Sequence, residues 1–271
     1  MKRPPKPIAE DAGWIPDEFE GERHFVTALA RGLEILRCFR KGELGLTNAD
    51  FAERTGLPKA TVSRLTFTLT KLGYLTLSPD SGRYRLGAGV LSLGYSMLSG
   101  LDIRTRARPL LQELATAADA SVALGARDRL AMVYLECARG PGTVTLSLDV
   151  GSRVTLGTSA MGRALLAALP DGERDYLLRA MKDRMPDAYP RIVEGVERAR
   201  EEIAAQGFCT SFGDWQADVN AVGVAILNDE GAPIFGLNCG APAFKLSQER
   251  LMQEFGPRLV EIAAILGRGT V

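Results

Sequence analysis

The stretch ADFAERTGLPKATVSRL, residues 49–65, decides the fold of the first third of the chain. Thr47 stands just before it and Asp50 follows three residues later, which is the pattern of a capping box at a helix start. Gly56 ends this first helix, and Pro58 suits the first turn of a second helix, where its missing N–H costs nothing. Two helices joined by so short a turn predict a helix-turn-helix unit.

The second predicted helix has an apolar face and a polar, basic face. Thr66 takes a position that we expect to be apolar, and Phe67 falls toward the exposed side; a dimer contact would explain Phe67, and so would local repacking. The apolar face, at helical spacing, consists of Val62, Leu65, Leu69 and Leu72. The opposite face carries Lys59, Ala60, Thr61, Ser63, Arg64 and Lys71.

A β-hairpin is predicted directly after this helix. Residues 74–77 and 83–86 read as strands, and a Ser-Pro-Asp-Ser-Gly turn joins them. Arg83 and Arg85 share one face of the hairpin because side chains alternate along a strand. Two helices followed by a hairpin predict a winged helix, which reads DNA with its second helix and its wing.

Charge and side-chain chemistry select the candidate DNA contacts. Residues 25–86 hold ten Lys or Arg against five Asp or Glu, although the whole chain has zero net charge. Arg64 is the side chain best suited to a bidentate contact with guanine, and Arg83 and Arg85 would meet phosphates or the minor groove. A solvated basic surface and an ordinary antiparallel helix pair stay open as alternatives. The candidate DNA-binding residues are Thr47, Lys59, Ala60, Thr61, Ser63, Arg64, Lys71, Arg83 and Arg85.

Periodicity predicts further elements along the chain. One helix spans 24–39 with Leu29, Leu33, Leu36 and Phe39 facing inward, a short one spans 87–100 with Val90, Leu91, Leu93 and Met97, and Asp102 caps a longer one with Ile103, Leu110, Leu111 and Leu114 facing inward. Strands are predicted at 131–137, 143–150, 208–212, 219–227 and 233–239, and helices at 163–168, 192–206 and 247–267.

Composition bounds the class of protein. The 271 residues, 46% of them hydrophobic, suffice for two domains with cores of their own. Four scattered cysteines without a CxxC pair, and a single histidine, predict a reduced protein with no metal and no cofactor. The first residues lack a secretory apolar region and no later apolar run could span a bilayer, so we expect a cytoplasmic protein without a membrane partner.

Five segments, in order, resemble the IclR family of bacterial transcriptional regulators. They are TALARGLEILRCF, LTNADFAERTGLPKATVSRLTFTLTKLGYL, GRYRLGAGVLSLG, LGTSAMGRALLAALP and VGVAILNDEGAPIFGLNCGAP. The resemblance implies an α+β fold with a winged helix-turn-helix (24–86), a linker helix (87–101) and a C-terminal GAF-like α/β effector domain with an antiparallel sheet (102–271). The Pro-rich and acidic composition of residues 1–23 predicts a flexible leader before them. It also implies a homodimer or homotetramer that binds double-stranded operator DNA.

The same resemblance implies a pocket for a small effector. The free N–H groups where a helix starts near Ser159 can hold a carboxylate, although the same residues suit a capped, closely packed helix start. Many relatives have an arginine followed by cysteine or serine where this chain has Asn220 and Ala221, so a guanidinium partner for a carboxylate is missing here. This departure counts against a simple acid and leaves open a neutral or amide-bearing ligand, or an aromatic acid held by N–H groups and Asn238. The expected effector is an aromatic or short organic acid, or a neutral analogue. The candidate pocket residues are Leu146, Thr158, Ser159, Ala160, Met161, Trp215, Val219, Asn220, Ala221, Asn238 and Gly240. Trp215 is either a lid or a core aromatic, and Met161 suits packing.

Two rival functions are weighed against this reading. The segment around Ser159 is one residue too long for a G-x-S-x-G nucleophile elbow, and His24, the only histidine, precedes the helix-turn-helix, so we expect no catalytic residues and no enzyme activity. A DNA-binding protein without a ligand would have a filled core in its C-terminal domain, whereas small residues near Ser159 and Gly240 favour a cavity.

The sequence thus predicts a ligand-responsive regulator. Analogy with the family favours a repressor of a catabolic operon.

Overall fold

The computed structural model describes residues 22–40, 42–142 and 146–268. The chain divides into two compact units between Gly100 and Leu101. The first unit contains α1 (Thr27–Arg37), α2 (Asn48–Thr55), α3 (Lys59–Lys71), β1 (Leu75–Ser78), β2 (Arg83–Leu86) and α4 (Ala88–Ser99).

The first unit is the winged helix that the sequence predicts. The Thr47 side chain accepts the Asp50 N–H and Asp50 accepts the Thr47 N–H, so the capping box starts α2 where the pattern places it. Gly56 ends α2 with φ of 70°, a left-handed conformation that glycine adopts without strain. Strands β1 and β2 pair antiparallel, and Leu46 adds a single bridge to Tyr84. The buried core of this unit is Ile35, Cys38, Leu46, Phe51, Val62, Leu69 and Leu75.

Three predictions about inward-facing residues of the first unit are wrong. Leu29 and Leu33 are 63% and 50% exposed, because the face of α1 that meets α3 runs through Gly32 and Ile35 instead. Leu72 is also exposed, since it lies beyond the end of α3 as its C-cap.

Thr66 and Tyr74 also differ from the expected pattern. Thr66 is fully buried, and its hydroxyl lies 3.1 Å from Oδ1 of Asn48 and 3.2 Å from the carbonyl of Ser63. A hydrogen-bonded threonine therefore fits where an apolar residue is expected, because its polar group is satisfied at the crossing of α2 and α3. Tyr74 lies before β1, which begins at Leu75.

The second unit is built on a six-stranded antiparallel sheet with the order β5-β4-β3-β8-β7-β6. Its strands are β3 (Ser121–Asp128), β4 (Ala131–Arg139), β5 (Arg153–Thr155), β6 (Cys209–Phe212), β7 (Val219–Leu227) and β8 (Pro233–Pro242). Its helices are α5 (Asp102–Ala118), α6 (Ala160–Ala168), α7 (Asp171–Arg184), α8 (Tyr189–Gln206), α9 (Gln248–Arg250) and α10 (Gly256–Gly267), with a π-helical turn at Leu251–Phe255 between the last two. This arrangement confirms the predicted fold class.

Helix α6 lies directly on the sheet because glycines remove the side chains beneath it. A Cβ at Gly223 would lie 2.7 Å from the backbone nitrogen of Met161, and one at Gly236 would lie 2.6 Å from the Met161 side chain. Helix α10 covers the opposite face of the sheet. Side chains alternate along a strand, so Ile226 of β7 points away from α6, and Gly267 of α10 lies close to it. Helices thus cover both faces, and the first residues of α6 come close to the middle of the sheet.

Two predictions in the second unit need correction, and two of its elements were missed. The strand expected at 143–150 lies partly outside the described residues, and its described part, 146–150, contains no strand; residues 151–155 take the place beside β4 instead, through β5 and the Gly151 N–H bond to Tyr134. Asp102 does not cap α5, whose N-cap is Leu101. Strand β3 and helix α7 were not predicted at all.

Candidate nucleic-acid interface and buried cavity

Helix α3 presents a polar face free of acidic residues. Lys59, Ala60, Ser63, Arg64 and Lys71 are exposed and Thr61 is half-buried. No ion pair of Arg64 occurs within the part of the chain that the structure describes. An unpaired guanidinium on an exposed helix can form two parallel hydrogen bonds to guanine in a major groove.

Thr47 is used locally at the start of α2. Its hydroxyl donates to the Asp50 carboxylate over 2.9 Å and accepts the Asp50 N–H over 3.2 Å. The hydrogen bond from the Thr47 N–H, followed by that from its hydroxyl, lowers the pKa of Asp50. The hydroxyl therefore serves as a helix cap, and its assignment as a DNA contact stays a prediction.

The two wing arginines contact the loop before α2. Arg83 donates to the carbonyl of Gly45 over 2.7 Å, and Arg85 donates to the carbonyl of Leu44 over 3.0 Å. Arg83 also lies 3.9 Å from the Asp50 carboxylate. Both side chains remain exposed, and they tie the wing to the loop before α2. Their contact with phosphate or the minor groove stays a prediction.

Both α4 and α1 carry exposed apolar residues. No residue of α4 is buried, and Leu91 is 74% exposed. The helix contains no charged residue. Its other exposed apolar side chains are Leu93, Tyr95 and Met97, with Val26, Leu29 and Leu33 at the start of the unit. Phe67 of α3 is exposed too, with the Lys71 ammonium 5.4 Å from the centre of its ring. A helix with so many exposed apolar side chains and no charge is typical of an interaction site.

A narrow cavity lies in the second unit where the start of α6 meets the sheet. About 310 Å³ at this place is free of atoms, its mouth included, but the closed part has room for one water molecule at most. The cavity is lined by Tyr134, Leu146, Val154, Ser159, Ala160, Ser211, Trp215, Val219, Ala221 and Asn238. The structure therefore brings together most of the predicted pocket residues.

Four of the predicted pocket residues do not line this cavity. Asn220 alternates with Val219 and Ala221 and points to the other face, where it donates to the carbonyl of Leu246. Met161 contacts Gly125 and Gly236 under α6. The Thr158 hydroxyl bonds that of Thr155, and Gly240 packs against Ala221.

Three cavity residues were missed by the sequence reading. Tyr134 lies in the predicted strand 131–137, where the alternation with Met132 assigns it to the same face as that core residue. Val154 and Ser211 come from the two edge strands, β5 and β6. Val154 was missed because the strand was predicted at 143–150, before the turn at Gly151, whereas β5 follows that turn.

Asn238 and Tyr134 form an incompletely satisfied polar pair in the cavity wall. The Asn238 amide nitrogen donates to the Tyr134 hydroxyl over 3.0 Å, and Oδ1 of Asn238 is buried without a partner among the described residues. Turning the amide over would let Tyr134 donate to the oxygen and would free N–H groups instead. Burial raises the pKa of the Tyr134 phenol, so the hydroxyl keeps its proton. In either orientation, the cavity presents hydrogen-bonding groups to a ligand.

The start of α6 is capped from within the chain. The Ser159 hydroxyl accepts the Gly162 N–H over 3.1 Å and donates to the carbonyl of Thr155 over 2.6 Å. One of the N–H groups that could hold a carboxylate is therefore occupied. Of the two interpretations of the segment near Ser159, the geometry fits the capped, closely packed helix start.

Other kinds of site find little support in the described ranges. No group of three His, Cys, Asp or Glu side chains there could hold a metal ion, and none of the helices found there is long and apolar enough to cross a membrane. Burial raises the pKa of the Cys239 thiol to about 12, so at pH 7 it is a neutral, buried sulfur.

Comparison with known proteins gives consistent matches over nearly the whole chain. Residues 28–79 match the family described as the IclR helix-turn-helix domain, and residues 95–267 match the bacterial transcriptional regulator IclR C-terminal family. The HTH-type transcriptional regulator TsaQ1/TsaQ2 of Comamonas testosteroni is 35% identical over 91% of this chain and 90% of its own length. The Pca regulon regulatory protein of Pseudomonas putida is 30% identical over 89% and 83%. A crystal structure of an IclR family transcriptional regulator from Brucella abortus is 47% identical, with a TM-score of 0.83 and 96% of each chain covered.

Proposed function

The chain belongs to the IclR family of bacterial transcriptional regulators, and from this premise we propose that it binds an operator as a homo-oligomer whose affinity is set by a small organic effector. It acts by binding DNA and ligand and not as an enzyme. We place it in the cytoplasm, where operator DNA is located. The observation that carries the proposal is the combination of an exposed α3 without acidic residues and a cavity whose wall includes Asn238, with an amide oxygen that has no partner among the described residues.

The DNA-binding half of the proposal rests on α3 and the wing. Arg64, with no acidic partner in the described part of the chain, reads a guanine, while Lys59, Ser63 and Thr61 near the start of the helix contact bases or phosphates. Arg83 and Arg85 bring the wing to the flanking phosphates. A dimer places two such helices in successive major grooves, so the operator is a rough palindrome.

The dimer forms through α4 of a second copy of this chain. A helix with no charged residue and four exposed large apolar side chains is self-complementary under a two-fold axis, because neither copy carries a charge to be buried. The exposed residues of α1 extend the same kind of surface.

The effector binds in the cavity of the second unit. Tyr134, Asn238 and Ser211 supply neutral hydrogen-bonding groups, and the remaining wall is largely apolar. An aromatic or short organic acid, or a neutral analogue, matches this lining. The cavity has room for one water molecule at most, so binding requires its walls to move. Ligand and operator are then coupled because each favours one arrangement of the walls and the linker helix.

A regulator that binds DNA without sensing a ligand is the second candidate, and the small free volume of the cavity favours it. A thermal-shift panel separates the two functions. It contains 4-hydroxybenzoate, its neutral partner 4-hydroxybenzamide, short keto acids and sugar acids. A ligand of the folded state at about 100 times its Kd stabilises by about 2.7 kcal/mol and raises Tm by several degrees. Stabilisation by one class names the effector chemistry, whereas a flat panel contradicts effector binding by these classes.

We expect Arg64→Ala to weaken specific operator binding by about 1–3 kcal/mol, roughly 5- to 150-fold, and to relax selectivity at one base pair. The operator is first isolated from genomic fragments retained by the full-length protein, and Kd is then measured by fluorescence anisotropy at fixed salt. Arg40→Ala is the matched control, since it removes the same charge from an exposed position outside α3. Equal losses in the two variants would assign Arg64 to general electrostatics and not to base reading.

A further inference from the structure

A fully buried arginine lies behind the wall of the cavity. Arg163 of α6 is 2% exposed. Its Nη1 atom donates to the Asp214 carboxylate over 2.6 Å and to the carbonyl of Thr210 over 3.3 Å, and its Nε atom donates to the carbonyl of Gly157 over 3.2 Å. One guanidinium thus holds three separate segments of the chain.

Each of these three segments carries a residue of the cavity wall. Asp214 precedes Trp215, Thr210 precedes Ser211, and Gly157 lies two residues before Ser159. Ser211 adds a further link, because its hydroxyl donates to the carbonyl of Thr158 over 2.8 Å. Arg163 therefore sets the relative positions of the walls without touching the cavity.

The arginine is held in turn from the protein surface. The Asp214 oxygen that pairs with Arg163 also accepts from Nη2 of Arg198 over 2.7 Å. Glu202, on the same face of α8, accepts both the N–H and the hydroxyl of Thr210, over 2.7 and 2.8 Å. Because Arg198 is 41% exposed at its side chain, this outer contact can be removed without opening the core.

A glycine in the middle of α8 makes room for the buried guanidinium. A Cβ at Gly195 would overlap the Arg163 guanidinium, with Nε only 2.6 Å away. Glycine inside a helix is unfavourable relative to alanine. Its presence here is explained by the guanidinium that lies against it.

We propose that Arg163, Asp214 and Arg198 form a latch that fixes the loop 213–218, with Trp215, and the turn 157–159 as the walls of the cavity. Arg163 is a positioning residue for effector binding, and release of Asp214 lets the Trp215 loop move aside for the ligand. The inference rests on the proposed function because it assigns the latch to the effector cavity. The latch itself is measured without any ligand.

The first test compares two helical glycines. Gly195→Ala displaces the guanidinium, whereas Gly172→Ala in α7 meets no atom within 4 Å and serves as the matched control. Hydrogen exchange followed by mass spectrometry reports on loop 213–218, where the Gly213 N–H bonds to Val219 and the Val219 N–H to Gln216. We expect exchange of these amides roughly fivefold faster in Gly195→Ala, with β3 and β4 unchanged, and no change in Gly172→Ala.

The second test acts from the surface and keeps the core intact. Arg198→Met should accelerate exchange in the same loop, and Arg198→Lys should restore protection. Arg200→Met should have no effect, since Arg200 pairs with Glu197 on the outside of α8. A loop whose exchange is unchanged in Gly195→Ala and Arg198→Met overturns the latch. Uniform acceleration throughout the second unit does so as well, because it indicates general destabilisation.

Ligand binding separates the latch from the proposed function. If a compound of the thermal-shift panel stabilises the protein, its Kd should change at least about threefold in Arg198→Met and not in Arg200→Met. If no compound binds while loop exchange responds to Arg198, the latch stands and effector sensing fails. If a compound binds and neither its Kd nor loop exchange responds, the latch fails and effector sensing stands.

Discussion

Leu91→Glu is expected to make the protein monomeric and to weaken operator binding by roughly 100-fold or more. Leu91 is 74% exposed on an uncharged helix, so in the proposed dimer it is buried twice, once in each copy. Burying a leucine side chain contributes about 1.5–3 kcal/mol. The variant loses this contribution in both copies and places two carboxylates near the two-fold axis, where their desolvation and repulsion oppose association.

The effect on DNA follows from the linkage of the two half-sites. A dimer binds its second half-site as an intramolecular step, and this advantage is commonly a factor of 10² to 10⁴. Light scattering coupled to size-exclusion chromatography gives the mass, and anisotropy gives the operator affinity. Leu91→Met is the control, because it keeps the apolar contact and adds no charge. A Leu91→Glu protein that keeps its mass and its operator affinity would remove α4 from the interface.

The double variant Tyr134→Phe/Asn238→Leu is expected to lose effector binding by roughly 100-fold while its Tm stays equal or rises. The reason is the unpaired Oδ1 atom of Asn238, which is buried and costs stability in the absence of a ligand. Replacing both members of the pair by apolar groups of similar shape removes this cost. It also removes the groups that anchor the ligand.

The measurement is the thermal-shift panel repeated on the variant. Ser121→Ala is the matched control, because the Ser121 hydroxyl is also buried without a partner in the described structure but does not line the cavity. We expect the control to gain stability and to keep its ligand response in full. A double variant that is strongly destabilised would show that the pair supports the fold, and one that still responds to ligand would move the effector site elsewhere.

Local signals predicted the winged helix well because each boundary has a chemical cause. The capping box at Thr47, the left-handed end at Gly56 and the hairpin turn all depend on neighbouring residues, and the structure has them as the sequence indicates. Leu29 and Leu91 show the limit of the same method. Helical periodicity identifies apolar faces, but it does not distinguish a face that packs within one chain from a face that packs against a second chain.

The second unit shows why long-range pairing escapes a reading of the sequence. Strand β3 was missed because it is rich in small residues, which do not favour a strand. Gly125 leaves room for the Met161 side chain of α6, which lies 36 residues later in the chain, so the reason for the small residue is not local. The family resemblance predicted cavity residues both in strands, such as Val219 and Ala221, and outside them, such as Ser159. Asn220 was assigned to the cavity because the family motif contains three consecutive residues, 219–221. In a strand, however, the side chain of the middle residue points to the opposite face of the sheet.

The buried Arg163 had no sequence signal of its own. An arginine in an Ala- and Leu-rich helix reads as a residue at the exposed edge, and its partner Asp214 lies 51 residues later. Only the folded chain brings the two together, with Gly195 against the guanidinium. The distinction matters for function, because the cavity walls are then set by a charge cluster that the pocket motifs do not contain.

The most direct test of the central claim is the operator affinity of the full-length protein with and without the compound that gives the largest thermal shift. A ligand-responsive regulator predicts a change in operator Kd of about 5- to 150-fold at saturating ligand, and by reciprocity the operator must change the affinity for the ligand by the same factor. An operator Kd that is unchanged at saturating ligand would contradict the account. Such a ligand would bind the DNA-free and DNA-bound protein with equal affinity and would not shift the equilibrium between them.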